Sequence, residues 1–445
     1  MFKKFFYNKL VNDVLTTTMW STFGKGIGFL IPFFVAAWFG VGTDTDIFFF
    51  VYTTIFYLAS IFSDSLESNV VPFLAHIGKD KKNIVSNFLN KLLSLLLLAT
   101  VGLGLILTIF GGYILSAVTR FPREYSSLMS QLILEFCPFL ILVVISSVLA
   151  GLLNAHSRFW LPAISPGIRA GICIATIFVL KERFGIHSIA IGYIVGELAR
   201  LAAFVFVLTR ERIIFLKLDF DFDPSIISFF KVISFQIVCM ITIGLNPVVD
   251  KAMASWLSTG SVSILQYADR INIIPIVFVS SGLIVVMLSR WSNLYYEYKN
   301  INVLRNDLRI TLRAVLFISL AIVIVLFMFS KQLVSIAYAR GKFPGLFIDP
   351  VRSAFLWYLI GTPFYLLGQV VVRAHLVLHN TKTLMITAFI ANIFNIVLNL
   401  VLMYFFGVNG IAMSTSIVSI IMFLHLHRAF DQLVNKKLST LGHAN

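Results

Sequence analysis

Apolar stretches long enough to cross a bilayer recur about twelve times along this 445-residue chain, and that recurrence leaves few architectures open. A hydrocarbon core needs about 20 consecutive apolar residues per helix. Inside lipid the backbone must satisfy its own hydrogen bonds, so only helices and closed barrels span it. Runs this long are helical, since barrel strands are about ten residues of alternating polarity. Only 12% of the residues are charged and 59% are hydrophobic. A soluble domain has about 25% charged residues, so this chain could not cover a water-facing surface. The expected fold is an all-α integral membrane protein with about twelve transmembrane helices.

The spans fall at about 14–39, 46–75, 92–115, 131–153, 160–180, 186–208, 226–248, 262–289, 310–330, 353–373, 383–405 and 408–427. The first is too long for the apolar core of a signal peptide and reads as a retained helix. Cys137, Cys173 and Cys239 all lie in apolar runs without metal-binding spacing, and read as packing residues.

A net charge of +15 raises the question of nucleic acid. Its distribution answers otherwise, because Lys and Arg alternate by loop. They crowd the N-terminus (Lys3, Lys4, Lys9), loop 2–3 (Lys79, Lys81, Lys82, Lys91) and loop 6–7 (Arg210, Arg212, Lys217). Loop 8–9 (Arg290, Lys299, Arg305, Arg309) and the C-terminus (Arg428, Lys436, Lys437) continue the series. By the positive-inside rule both termini are cytoplasmic, and no nucleic-acid partner is expected. Loop 9–10, with Lys331, Arg340, Lys342 and Arg352, breaks the alternation.

The second half reads as a worn copy of the first. The segment Ala37–Thr43 pairs with Ser255–Ser261, and Phe184–Ala190 pairs with Phe406–Ala412, at offsets of 218 and 222 residues. Six spans per half imply parallel repeats, whose working site is expected near mid-bilayer between them. The expected organisation is an N-terminal six-helix lobe over 1–210, a cytoplasmic linker over 211–225 and a C-terminal six-helix lobe over 226–445.

Ionisable residues inside spans cost at least about 2.5–3.5 kcal/mol each at a helix centre and mark functional interiors by default. Lys25 and Arg169 have no acidic residue within a turn, which makes them candidates for cations lining a cavity. Glu197 and Arg200, spaced i,i+3, read as neutralising each other. Asp269 and Arg270 are sequence neighbours, so they point about 100° apart and at least one needs another partner. Asp250 and Lys251 sit at the mouth between spans 7 and 8. A cationic cavity suits an anion such as a diphosphate, for which Arg offers a bidentate fork. Asn392, Asn395 and Asn399 share one face of span 11. They read either as interhelical hydrogen bonding or as part of a cation- or proton-coupling site. No nucleotide-binding, metal-protease or hydrolase motif occurs, so no enzyme and no organic cofactor are expected. The driving force is then a coupling cation (Na+ or H+), the membrane potential or the substrate's own gradient.

The run Asn246–Ser255, followed by Gly260-Ser261-Val262-Ser263 and Tyr267-Ala268-Asp269-Arg270, resembles the MurJ (MviN) lipid II flippases. Thr45–Phe49, Phe136–Phe139, Ala150–Asn154 and Ala339–Phe343 extend the resemblance over nearly the whole chain. The wider superfamily of multidrug, oligosaccharidyl-lipid and polysaccharide exporters (MOP, including the MATE transporters) shares the two-lobe plan. The resemblance implies a V-shaped pair of six-helix bundles in the bacterial inner membrane. Their substrate is a polyprenyl-pyrophosphate-linked saccharide, carried to the outer leaflet by alternating access for peptidoglycan and cell-wall synthesis. Cell-envelope synthesis proteins are candidate partners beside that glycan and the lipid bilayer. It assigns substrate binding to Lys25, Asp46, Asp269 and Arg270, with Arg169 as a compensating cation. Gating or release falls to Asp250, Lys251, Arg340 and Lys342. Where the family carries further cations, this chain has Ile31-Pro32 and Ala59-Ser60. That departure admits another undecaprenyl-linked glycan, of the O-antigen or capsule type, as substrate. A multidrug or metabolite antiporter is the rival within the superfamily, and it would need acidic rather than basic cavity groups.

Overall fold

The computed structural model describes residues 2–77, 82–211, 217–221, 223–280, 287, 290–291 and 301–442. Lys79, Lys81, Arg212 and Lys299 of the charge pattern lie outside the described residues, as do 281–286 and 288–289 of the expected eighth span. The described chain folds into α1 (Phe2–Phe39), α2 (Thr43–Ile77), α3 (Lys82–Val118), α4 (Ser126–Ala155), α5 (Trp160–Phe184), α6 (His187–Arg210) and α7 (Pro224–Ile243). It continues through α8 (Asn246–Ala254), α9 (Ser261–Val279), α10 (Ile301–Met328), α11 (Ser330–Tyr338), α12 (Ile348–Val377), α13 (Thr381–Phe406) and α14 (Val408–Gly442). Among the described residues there is no strand, and 12 stretches are long and apolar enough to cross a membrane. The molecule is a multi-pass membrane protein. Several helices overrun their spans: α3 begins ten residues ahead of the apolar run expected at 92, and α14 continues well past 427. The additional turns carry polar residues such as Lys91 and Lys436.

Two compact units emerge. Unit 1 comprises Met1–Phe39 and Thr43–Gly244, and unit 2 comprises Gly40–Gly42 and Leu245–Asn445. In unit 1, α4 packs on α2, α3 and α6, while α5 packs on α1 and α6. Its core includes Val70, Leu92, Phe88, Leu149, Leu153, Phe204 and Phe229. In unit 2, α12 is central and packs on α9, α10 and α14, and α13 lies on α14. Its core gathers Leu304, Val315, Leu366, Val370, Ala374 and Phe430.

The sequence places the lobe boundary in the polar stretch 211–225, of which 212–216 and Phe222 lie outside the described residues. By packing, α7 belongs with unit 1. Phe229 stacks edge-on against Phe73 and Phe88. The Tyr57 hydroxyl donates to the Ile241 carbonyl, and Asn69 and Gln236 pair through their amides. Asp223 caps α7 and pairs with Lys91 of α3 at 3.1 Å.

The repeat has a backbone counterpart. α5 ends on Gly185 at φ 54° and ψ −134°, and α13 ends on Gly407 at φ 56° and ψ −134°. Only glycine adopts this conformation without strain. Each glycine lets the next helix start almost at once, so the paired Phe-Gly steps make the same tight turn.

Candidate functional site

Each unit encloses a cluster of charged and polar side chains. In unit 1 the cluster begins with a close helix crossing. A Cβ on Gly196 would collide with the Arg169 carbonyl oxygen, so α6 can lie against α5 only with glycine there. Small residues permit such approaches in membrane bundles. The crossing sets Arg169 of α5 beside Glu197 and Arg200 of α6. Glu197 is 0% exposed. Its carboxylate accepts from Arg169 Nη1 at 3.2 Å and from Arg200 Nη1 at 3.1 Å. Arg200 Nε also donates to Ser165 Oγ at 3.0 Å. The Arg169 guanidinium lies over the rings of Phe56 and Phe139, 5.8 and 5.9 Å from their centroids.

Sequence spacing paired Glu197 with Arg200 and left Arg169 alone. The structure joins all three, because the acidic partner of Arg169 comes from a neighbouring helix rather than its own. Two guanidiniums share the Glu197 carboxylate, and Glu67 on α2, in Coulombic range of Arg200, offsets the surplus positive charge. Nearby, Asn154 Nδ2 donates to Glu67 Oε1 at 3.1 Å, and Lys25 on α1 is exposed and within Coulombic reach of Glu67. Asp46 is buried in the first turn of α2, where a carboxylate favours the helix dipole. Ile31 and Ala59, at positions where the resemblance expects cations, are buried among apolar neighbours. Sequence reasoning missed one further pair: His187 Nδ1 meets Glu135 at 2.8 Å across α6 and α4.

In unit 2 the cluster is built on α8, a nine-residue helix carrying Asp250 and Lys251, 8% and 9% exposed. Asn399 Nδ2 of α13 donates to Asp250 Oδ1 at 2.7 Å, and Thr415 Oγ1 of α14 donates to Oδ2 at 3.3 Å. Asn399 Nδ2 also reaches Asn395 Oδ1 at 3.2 Å, and Ser414 Oγ donates to the Asn395 carbonyl at 3.2 Å. The amide stripe is therefore a set of interhelical hydrogen bonds, and a carboxylate is one of its partners. Asn392 is buried on the same face. Thr415 escaped sequence reasoning. The available signal was that three amides on one helical face need polar partners on the helices they meet.

The stripe ends on an open valence. Asn399 Oδ1 is buried without a hydrogen-bond partner among the described residues. Asn395 Nδ2 is likewise buried without one, and Asn399 turns its amide nitrogen toward Asp250, so the carboxylate, the two amide oxygens and the Thr415 hydroxyl would make a hard, all-oxygen donor set only once the Asn399 amide turned over. A single negative charge balances a monovalent cation, whereas a divalent ion would leave net charge in the interior. These residues fit Na+ better than a heavier metal. Among the described residues, no three His, Cys, Asp or Glu side chains cluster to hold a metal.

Asp269 and Arg270 are half-buried on α9, which packs against α8. Lys251 lies in Coulombic range of Asp269, Asp250 and Arg270. Of the expected gating residues, Arg340 does local work: its Nη2 and Nε donate to the Ile336 and Ala337 carbonyls at 2.7 and 3.2 Å. A cation at the C-terminal end of a helix is favourable there. The Lys342 side chain is exposed, and its carbonyl oxygen lies where a Cβ on Gly40 (φ +74°) would sit, at 2.6 Å. Arg352 Nε donates to Ser330 Oγ at 2.9 Å. Part of the unexpected basic charge of this loop thus ties down helix ends.

Twelve apolar helices carrying buried charge clusters define a polytopic membrane protein, and known structures share its fold. The chain superposes on an inward-facing MATE family transporter of the MOP superfamily with a TM-score of 0.76 at 15% identity, covering 95% of this chain and 96% of that one. It superposes on lipid II flippase MurJ in its inward closed conformation with a TM-score of 0.80 at 24% identity, covering 97% and 91%. In sequence, residues 35–441 match the family model described as lipid II flippase MurJ, and the chain belongs to that family. Relatives include the lipid II flippase MurJ of Thermosipho africanus, 27% identical over 91% of this chain and 82% of the relative. Another is the probable lipid II flippase MurJ of Buchnera aphidicola subsp. Acyrthosiphon pisum, 25% identical over 95% and 84%.

Proposed function

We propose that this chain moves a polyprenyl-pyrophosphate-linked saccharide, lipid II foremost, from the inner to the outer leaflet by alternating access, with both termini in the cytoplasm. The observation that carries this reading is the family match over residues 35–441 together with the Asp269–Arg270 pair, held half-buried on α9 beside the buried Lys251. A diphosphate in transit exchanges hydration for fixed donors, and Arg supplies a planar fork matched to its oxygens. Within unit 2, Arg270 meets the diphosphate, with Asp269 next to it in sequence; within unit 1, Lys25 and the Arg169–Glu197–Arg200 cluster supply basic charge, with Asp46 at the start of α2. The polyprenyl tail stays in lipid.

Energy enters through a monovalent cation held by Asp250, Asn395, Asn399 and Thr415, with Asn392 extending the stripe. The orphaned Asn399 oxygen supports that assignment. A cation held there would neutralise the Asp250 carboxylate and would thereby favour one conformation over the other. Arg340 and Lys342 act at release, on the turn that packs against Gly40.

Depletion of the protein in its host tests the substrate. Lipid II should accumulate on the inner leaflet, and accumulation of a different undecaprenyl-linked glycan would replace the first reading with the second. The apolar burial of Ile31 and Ala59, where the resemblance expects cations, is what favours that second reading. Arg270→Ala should abolish rescue of depleted cells while the protein stays in the membrane. Losing a buried charged contact to an anion costs about 2–5 kcal/mol, enough to empty the site at working concentrations. Full rescue by Arg270→Ala would overturn the diphosphate assignment.

A further inference from the structure

We propose that the exposed stripe of α10 binds one anionic phospholipid of the leaflet at the start of that helix, its phosphate held by Arg309 and Arg313. The inference needs only the membrane-spanning fold and stands apart from the flippase reading. α10 packs on α9, α12 and α14 and buries Leu304, Leu308, Leu312 and Val315. The opposite side of the helix is open. At about 100° per residue, Asn306, Arg309, Arg313, Phe317, Leu320 and Ile324 fall there within one stripe about 80° wide, and all six are exposed.

Polarity along this stripe is graded. An amide and two arginines come first, and the remainder is apolar. No acidic side chain shares the stripe: Asp307 lies across the helix, where it pairs with Arg290 at 2.6 Å and accepts from Trp291 Nε1 at 2.7 Å. Arg305 is engaged too, by Asp431 at 2.8 Å and Asn435 at 3.3 Å. Among the described residues, neither the Arg309 nor the Arg313 guanidinium has a partner.

Length and charge together select the occupant. From Arg309 to the helix end at Met328, a rise of 1.5 Å per residue gives about 28 Å, close to the full hydrocarbon thickness of about 30 Å. Arg309 therefore sits at the edge of the hydrocarbon. Arg313 lies about 6 Å deeper, from where its guanidinium snorkels back to the same level. Cations left unpaired at that depth are costly, and a phosphodiester relieves both, since Arg presents a planar, weakly hydrated fork. From Arg313 to Ile324 is about 17 Å, about the depth of one leaflet's acyl chains. Phe317, Leu320 and Ile324 thus lie alongside the chains of a lipid whose phosphate rests on the arginines. A free phosphate would use only the first part of the stripe. By the charge pattern this leaflet is the cytoplasmic one, whose anionic lipids attract basic residues.

Native mass spectrometry of the purified full chain, titrated separately with phosphatidylglycerol and phosphatidylcholine of identical acyl chains, tests the site. The unaltered protein should bind one phosphatidylglycerol about 10- to 30-fold more tightly than phosphatidylcholine, the effect of two basic residues at a charged surface. Arg309→Gln combined with Arg313→Gln should abolish that preference without lowering the melting temperature in detergent, because both side chains are exposed. Arg428→Gln removes an exposed cation of α14 and should leave the preference intact. A large excess of inorganic phosphate should not displace the lipid. A preference that survives the paired Gln substitutions, or that Arg428→Gln removes equally, overturns the site. Displacement by inorganic phosphate overturns the lipid as its occupant. Where the paired Gln chain does not insert, Arg309→Lys with Arg313→Lys keeps the topological charge, and undiminished binding there overturns the forked contact. None of these outcomes depends on lipid II.

Discussion

Both units bury a carboxylate, and they satisfy it in opposite ways. Glu197 in unit 1 is held by two guanidiniums at 3.1 and 3.2 Å. Asp250 in unit 2 is held by an amide and a hydroxyl, at 2.7 and 3.3 Å. A carboxylate already paired with two cations has no remaining attraction for another. One hydrogen-bonded by an amide and a hydroxyl, with Lys251 in Coulombic range, is less fully compensated. The contrast separates a charge cluster that holds helices together from the one proposed above to bind and release an ion, although the two look alike as a count of intramembrane charges.

The largest expected effect breaks the contrast from the unit 1 side. Glu197→Gln leaves two buried guanidiniums facing an uncharged amide. Removing one partner of a buried ion pair costs about 3–5 kcal/mol, so thermal melting in detergent should drop markedly. Asp250→Asn keeps an acceptor for Asn399 and should cost only about 1 kcal/mol, the value of a weakened hydrogen bond, while abolishing the response to Na+. Equal destabilisation by the two substitutions would erase the distinction between them.

Helix crossings sharpen the comparison at intermediate size, since both units use the same device. A Cβ on Gly196 would meet the Arg169 carbonyl, and one on Gly361 would lie 2.6 Å from Ser416 Cα where α12 crosses α14. Gly196→Ala and Gly361→Ala should each cost about 1–3 kcal/mol through overpacking. Gly171 and Gly368 have nothing within 4 Å of a built Cβ. Alanine at those two positions should be neutral or stabilising by up to about 1 kcal/mol, from helix propensity alone. Melting curves of the four variants, read side by side, check the pairs. Gly196→Ala should also loosen Arg169 from Glu197, because α5 must move away from α6.

Much of this was legible in the sequence, for identifiable reasons. Span positions follow from apolar run length, which the bilayer dictates directly. The Phe184-Gly185 and Phe406-Gly407 pairing could be read because a positive-φ glycine leaves a fixed mark wherever a helix must stop and turn. Partners across helices were not legible. Arg169 lacks an acidic residue on its own helix, and nothing local reveals that Glu197 lies one helix away. The amide stripe showed that α13 has a polar face but not that Asp250 and Thr415 complete it. Arg340 shows a local role that the sequence did not reveal: its hydrogen bonds are to carbonyls of the last turn of the helix before it.

The smallest expected effect concerns a carboxylate outside the spans, where water is within reach. Asp223 caps α7, accepting from the backbone N–H groups of Ser225 and Ile226 at 2.9 and 3.0 Å and from the Ser225 hydroxyl, and it pairs with Lys91. The Ser225 hydroxyl above all, then the Ile226 N–H and the Lys91 ammonium, hold its carboxyl down to about 2. An unfolded Asp titrates near 3.9, so the cap's contribution is complete above about pH 4 and is lost as pH falls through about 2. Asp223→Ala should remove it at every pH, at a cost of about 1 kcal/mol typical of an N-cap. The difference in melting temperature between native and Asp223→Ala protein should be constant from pH 7 to pH 5 and should shrink below pH 4. Unlike Glu197 and Asp250, Asp223 is neither locked in a buried triad nor poised for an ion, so its removal should leave both the Na+ response and pyrophosphate binding unchanged. A shift in either would mean that the start of α7 takes part in coupling, and the contrast would no longer rest on the two buried carboxylates alone.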